Sequence, residues 1–196
     1  MNVRRRYGLV AALAALLTSA TASADQDAHA GASGAPSPIA YQVPDVQLVR
    51  DDGRTVRLPE DLDGRRSVVL SFIFTACTSI CPVTSATFAQ LQRRLGSQSS
   101  RVQLVLISID PEQDTPARLA AYAKKVGAGP GWRFYTGTAA ASIAVQRAFD
   151  AFEGDKMRHA PDTYVRKAGS RSWVRLRGFA TADELLAECG LTLPAT

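Results

Sequence analysis

The 196-residue sequence has no long apolar run, no internal repeat, and only three cysteines, two histidines and two methionines. Its apolar N-terminal stretch, Tyr7 to Leu17, is about 11 residues, against the roughly 20 that a spanning helix needs. A polytopic membrane protein is therefore excluded, and the missing repeat excludes a solenoid. An odd cysteine count excludes a fully paired disulfide framework. A share of 46% hydrophobic and 21% charged residues excludes a disordered tail. The length suits one well-buried domain rather than two.

Residues 1–24 contain no acidic residue. Arg4, Arg5 and Arg6 precede the apolar stretch, and Ala22-Ser23-Ala24 supplies small residues for cleavage, the pattern of a signal peptide. A periplasmic location and a soluble mature form are expected, with an uncleaved membrane anchor as the alternative. Removing those three arginines takes the formal charge from +5 to +2. The basicity that would suggest nucleic acid thus sits largely in the leader, and no nucleic-acid partner is expected. Residues 25–40, rich in Ala, Gly, Ser and Pro, read as a flexible linker that carries His29. The folded domain is expected over 41–196.

Val46–Val49 and Thr55–Leu58 around Asp52-Gly53 read as an N-terminal β-hairpin. Ser67–Phe74 and Val102–Ile109 are apolar on both faces, as strands inside a covered sheet are. A helix is expected from Cys81 to Leu95, with Gly96 as its cap. Further helices are expected from Thr115-Pro116, over Ser142–Phe149, and from Thr181 to about Cys189 behind a capping box. Trp132–Tyr135 reads as a short strand, and Thr163–Arg166 with Trp173–Arg177 as a closing hairpin. Alternating strands and helices imply an α/β fold with a central mixed sheet flanked by helices, in the thioredoxin-like order.

Cys77 and Cys81 stand where a buried strand meets a helix. If that turn is helical, a four-residue spacing puts both sulfurs on one face. The helix N-terminus favours thiolate, so the pair is suited to chelating a soft metal or closing a disulfide. His159 is the one histidine of the folded domain, in a loop that the expected order brings toward the cysteines. Two cysteines and a histidine form a soft set suited to Cu(I), whereas structural zinc wants a fourth ligand. Met157 reads as a gap filler, and Cys189, late on the last helix, as an inert buried thiol.

Phe74-Thr75-Ala76-Cys77-Thr78-Ser79-Ile80-Cys81-Pro82 resembles the Cys-x-x-x-Cys-Pro signature of Sco/SenC proteins. The stretch from Leu106 to Pro116 resembles their Ile-Ser-x-Asp-Pro-x-x-Asp-Thr-Pro segment, and Gly131 to Gly137 their Trp-x-x-Leu-Thr-Gly segment. His159, five residues before Tyr164, matches the family's metal histidine. The resemblance implies copper held by Cys77, Cys81 and His159, with binding of Cu(II) left open. It also implies delivery of copper to the dinuclear centre of a cytochrome oxidase subunit, or reduction of that centre's cysteines. Arg158 stands where the family usually has Asp, and a cleavable signal is expected in place of its usual membrane anchor. Pro161 lies eight residues before Gly169, as the cis-proline does before the hairpin turn in thioredoxins. A cis bond there would face the cysteines.

The competing expectation is a thiol–disulfide oxidoreductase in which Cys77 and Cys81 form the redox pair, exchange with a disulfide partner and need no metal. A peroxidase of the peroxiredoxin type lacks the proline and threonine expected before its reactive cysteine. A binding module without catalysis is the plainest alternative. Asp110 and Asp114 read first as organisers of the turn and of the next helix, and second as groups that orient the site.

Overall fold

A computed structural model describes residues 38–62 and 64–191. The expected leader, His29 and most of the expected linker lie outside these residues. Five strands read from the sequence appear within a residue or two of their expected ends: β2 (Gln47–Arg50), β3 (Thr55–Arg57), β4 (Ser67–Ile73), β5 (Val102–Ser108) and β6 (Trp132–Thr136). The closing hairpin is β7 (Thr163–Arg166) and β8 (Trp173–Leu176). Regular structure starts earlier than expected, because β1 (Pro38–Ile39) pairs with β8 inside the segment read as linker. Two residues give no periodicity to read; the pairing comes from the free edge of β8.

The eight strands form one mixed sheet in the order β1-β8-β7-β4-β5-β6-β2-β3. β4, β5 and β6 run parallel at its centre, and β7 runs antiparallel to β4. The N-terminal hairpin joins the sheet through the pairing of β2 with β6. Every residue of β4 and β5 is buried, which explains their nearly continuous apolar character.

Helices cover both faces. On one side α2 (Ile80–Leu95), α3 (Pro116–Lys125) and α5 (Ala182–Glu188) place Phe88, Leu91, Leu119 and Leu185 over Val69 and Ile73. On the other, α1 (Leu58–Asp61) and α4 (Ala139–Ala148) bury Leu58 and Val145 over Val68, Leu70 and Phe72. Phe149 anchors this second layer, with ring centroids 5.3 Å from Tyr41, 5.1 Å from Tyr164 and 5.0 Å from Trp173.

Helix ends follow local chemistry. Thr115 and Thr138 each accept a backbone N–H at the start of α3 and α4, and Thr181 with Glu184 closes a capping box on α5. Gly96 ends α2 at φ +47°, in the left-handed region that a glycine enters without strain. α4 begins three residues before its expected start, because Thr138 caps the alanine run that precedes its apolar face. Leu58, expected as the end of a strand, instead opens α1, with Pro59 in its first turn. No helix among the described residues is long and apolar enough to cross a membrane.

Candidate metal centre

Three chain segments meet at one edge of the sheet for a topological reason. The cysteine turn leaves the C-terminal end of β4, and the Asp110–Asp114 turn leaves the C-terminal end of the parallel neighbour β5. The segment with His159 enters β7, which runs the other way, so its start lies at that same edge, with Thr163 opposite Ser71. Open α/β sheets place their working sites at this end of the strands.

Cys77, Cys81 and His159 are brought together, and their ligand atoms lie within 4.8 Å of one another. All three residues are buried, with Cys81 fully so. The sulfurs do not share a helical face as the spacing had suggested, since α2 starts only at Ile80 and Cys77 precedes it. A turn closed by the Cys77 N–H on the Phe74 carbonyl at 3.1 Å folds the chain back instead. The Cys81 N–H then donates to Cys77 Sγ at 3.4 Å, so Cys77 stands over the open end of α2 like a cap.

This arrangement makes the two thiols unlike. Burial opposes ionisation of Cys77, but hydrogen bonds from the backbone at Cys81 and Ser79 outweigh it and hold its pKa below the ordinary thiol value. Burial pushes the Cys81 pKa far up, and the neighbouring Cys77 adds to the rise. Cys81 is therefore a thiol at neutral pH, 3.6 Å from His159 Nε2.

The histidine is oriented by its other nitrogen. Nδ1 lies 2.7 Å from the Lys156 carbonyl, and a carbonyl only accepts, so Nδ1 carries the proton. The lone pair of Nε2 faces Cys81 Sγ and is available to a metal, the tautomer that metal-binding histidines adopt. The Phe74 ring packs edge-on against the imidazole at 5.3 Å. Two soft sulfurs and one imidazole nitrogen would suit a soft metal ion, and holding one would require loss of the Cys81 proton.

Asp114 does more than shape its own turn. Its buried carboxylate accepts from the Thr75 N–H at 3.0 Å, the Thr75 hydroxyl at 2.5 Å and the Ser108 hydroxyl at 2.7 Å. It thereby pins the cysteine turn to the end of β5. Asp110 pairs with Lys156 at 2.6 Å, which ties the histidine segment to the same strand end. Lys156 is absent from the residues singled out by sequence, because an exposed lysine in a polar loop carries no pattern until its partner is known.

Other expectations fare differently. Cys189 is buried away from the pair, and burial pushes its pKa up to about 12, as an inert thiol requires. No peptide bond among the described residues is cis, so Pro161, whose isomer the spacing to Gly169 left open, is trans. Pro161 instead lines a shallow recess with Thr84, Phe88 and Phe179. Met157 is 69% exposed and fills no gap in the core.

Residues 37–174 match the SCO1/SenC family. The SCO1 protein homolog of Bacillus subtilis is 34% identical over 107 residues, covering 54% of this chain and 54% of that protein. A Stutzerimonas stutzeri protein named for copper binding is 35% identical over 131 residues, covering 66% of this chain and 62% of its own length. The chain thus spans little more than half the length of these relatives. Among solved structures, Arabidopsis thaliana ScoI with copper bound has a TM-score of 0.61 at 25% identity, covering 78% of this chain and 93% of that one. Ordered signatures, a shared fold and a match across more than half of the residues agree, and this chain belongs to the SCO1/SenC family.

Proposed function

We propose that this chain is an exported copper(I) metallochaperone that holds copper through Cys77, Cys81 and His159. In this reading it passes the metal to the dinuclear copper centre of a cytochrome oxidase subunit. The observation that carries the reading is the buried Cys–Cys–His group, with its ligand atoms within 4.8 Å and its histidine already in the metal-binding tautomer. Copper-binding relatives support the metal. Family membership supports the acceptor, and the leader-like residues 1–24 support export to the periplasm.

Delivery is a ligand exchange without net redox change. A thiolate of the acceptor attacks the copper, one of the three protein donors leaves, and repeated substitution moves the ion across. Cys77 is the more accessible residue of the pair, at 8% exposed against none for Cys81, so the exchange begins on its side.

The unequal thiols favour a second reading, in which the chain reduces the acceptor's cysteines. The Cys77 thiolate attacks a partner disulfide to form a mixed disulfide and expel one partner thiolate. Cys81 then loses its proton, attacks Cys77 Sγ and releases the second, which leaves the Cys77–Cys81 disulfide.

Complementation separates the two readings. In a host lacking the gene, delivery predicts loss of the oxidase copper-centre signal, rescue by the wild type and failure of His159→Ala. Full rescue by His159→Ala together with failure of Cys77→Ser contradicts delivery and favours the reductase.

A further inference from the structure

Lys156 opens the short 3-10 turn that leads into His159, and it is held at both ends. Its carbonyl accepts from His159 Nδ1 at 2.7 Å, and its ammonium lies 2.6 Å from Asp110 Oδ2. The Asp110 side chain is 9% exposed, and its backbone is fixed by the Ser108 hydroxyl at 3.0 Å and by turn bonds from Gln113 and Asp114. Lys156 thus grips a rigid anchor on the end of β5. The ammonium also lies 5.7 Å from the centre of the Phe74 ring, the same ring that packs against His159.

The turn has few other ties. Among the described residues, the remaining hydrogen bonds of residues 155–158 stay within the turn: Asp155 accepts from the Met157 and Arg158 N–H groups, and the Lys156 carbonyl from the His159 N–H. Asp155 and Met157 are exposed, and Arg158 follows them to the surface. Downstream of His159 the chain is held at Asp162, by Ser71, Arg175 and Gly178, whereas upstream the Lys156–Asp110 pair is the side-chain tie that joins residues 155–158 to the end of β5.

We infer that the Lys156–Asp110 ion pair is a latch that sets the third copper ligand, which makes Lys156 a positioning residue for copper binding. With the latch closed, His159 Nε2 faces Cys81 Sγ. With it open, the turn is released from β5, and the imidazole leaves while both sulfurs stay in place on their separate anchor, Asp114. The inference rests on the copper reading for its consequence, but the latch itself is a property of the metal-free protein. The ammonium end of the pair is 41% exposed and the carboxylate end 9%, so urea unfolding of Lys156→Met checks that the fold survives the loss while the ligand's position does not.

The test is a double-mutant cycle on the mature protein, with Cu(I) affinity measured anaerobically against a chromogenic chelator. Lys156→Met keeps the apolar stem and removes the charge. It should weaken Cu(I) binding about 10-fold or more, the usual effect of losing a group that orients a ligand. In a His159→Ala background the same change should have no further effect, since the latch acts only through His159. Lys156→Arg should restore most of the affinity. Nitrogen-15 spectra of the metal-free protein should show His159 protonated at Nδ1 in the wild type and averaging between tautomers in Lys156→Met. Wild-type affinity and tautomer in Lys156→Met would overturn the latch. Equal weakening with and without His159 would overturn it too, because a field or folding effect does not need the imidazole. Absence of cysteine-dependent Cu(I) binding in the wild type would sink the copper reading instead, and the tautomer spectra would still decide the latch.

Discussion

At the scale of single residues, the site is built on a contrast between two cysteines four residues apart. Backbone N–H groups at the mouth of α2 stabilise a Cys77 thiolate, while Cys81 sits below it, fully buried and protonated. Alkylation of the reduced, metal-free protein should therefore modify Cys77 first. Its rate should rise with pH to a midpoint below that of the same thiol in the unfolded chain, with Cys81 unmodified until the protein unfolds. The sign follows from the depressed folded-state value: thiolate forms at lower pH in the fold than in the open chain. Mass spectrometry of peptides quenched along a pH series reads both. First modification at Cys81, or a midpoint at or above that of the unfolded chain, contradicts the assignment. The residue types and spacing of this site were legible in the sequence, because soft ligands are few and a lone histidine in the folded domain is easily found. The role of Cys77 as a cap was not. Spacing alone gives a helical face, and only the turn through Phe74 shows that the helix starts later. Lys156 was illegible for a related reason, since its meaning comes from Asp110, 46 residues away.

At the scale of elements, the aspartates after β5 hold the two ligand segments to one strand end. Asp114 is 1% exposed and accepts from Thr75 and Ser108. Asp114→Ala leaves the Thr75 N–H without its acceptor, and hydrogen bonds to a charged group are worth roughly 1.5–3 kcal/mol each. A loss of about 3 kcal/mol in urea unfolding is expected. A loss under about 1 kcal/mol would show that water replaces the clamp. The last helix offers a milder test. Hydrogen bonds from the Thr181 backbone and hydroxyl hold the Glu184 carboxyl below its usual range. Thr181→Ala should cost about 1 kcal/mol at neutral pH. Because the Glu184 pKa is depressed on folding, its share of stability is present above the ordinary carboxylate range and is lost as pH falls through the folded value. The difference between variant and wild type should therefore narrow in acid, as urea midpoints at two pH values would show. Elements of this kind were readable where one strong local signal exists: nearly continuous apolar runs for β4 and β5, and capping residues for α3 and α5. β1 and α1 were not, because strand pairing with β8 and the packing of Leu58 exist only in three dimensions.

At the scale of the whole molecule, one antiparallel strand in a largely parallel core brings the site together. β7 returns the chain to the edge where β4 and β5 end, so a histidine far along the sequence arrives 3.6 Å from Cys81 Sγ. The fold class followed from the alternation of strands and helices, and the family from several ordered signatures across the domain. What the donor set binds is the claim on which the proposed function stands. X-ray absorption at the copper edge, on reduced protein loaded with one Cu(I), tests it most directly. A three-coordinate ion with two sulfurs and one imidazole nitrogen is predicted, with the nitrogen shell lost in His159→Ala. Two-coordinate sulfur ligation in the wild type, unchanged by that substitution, would contradict it.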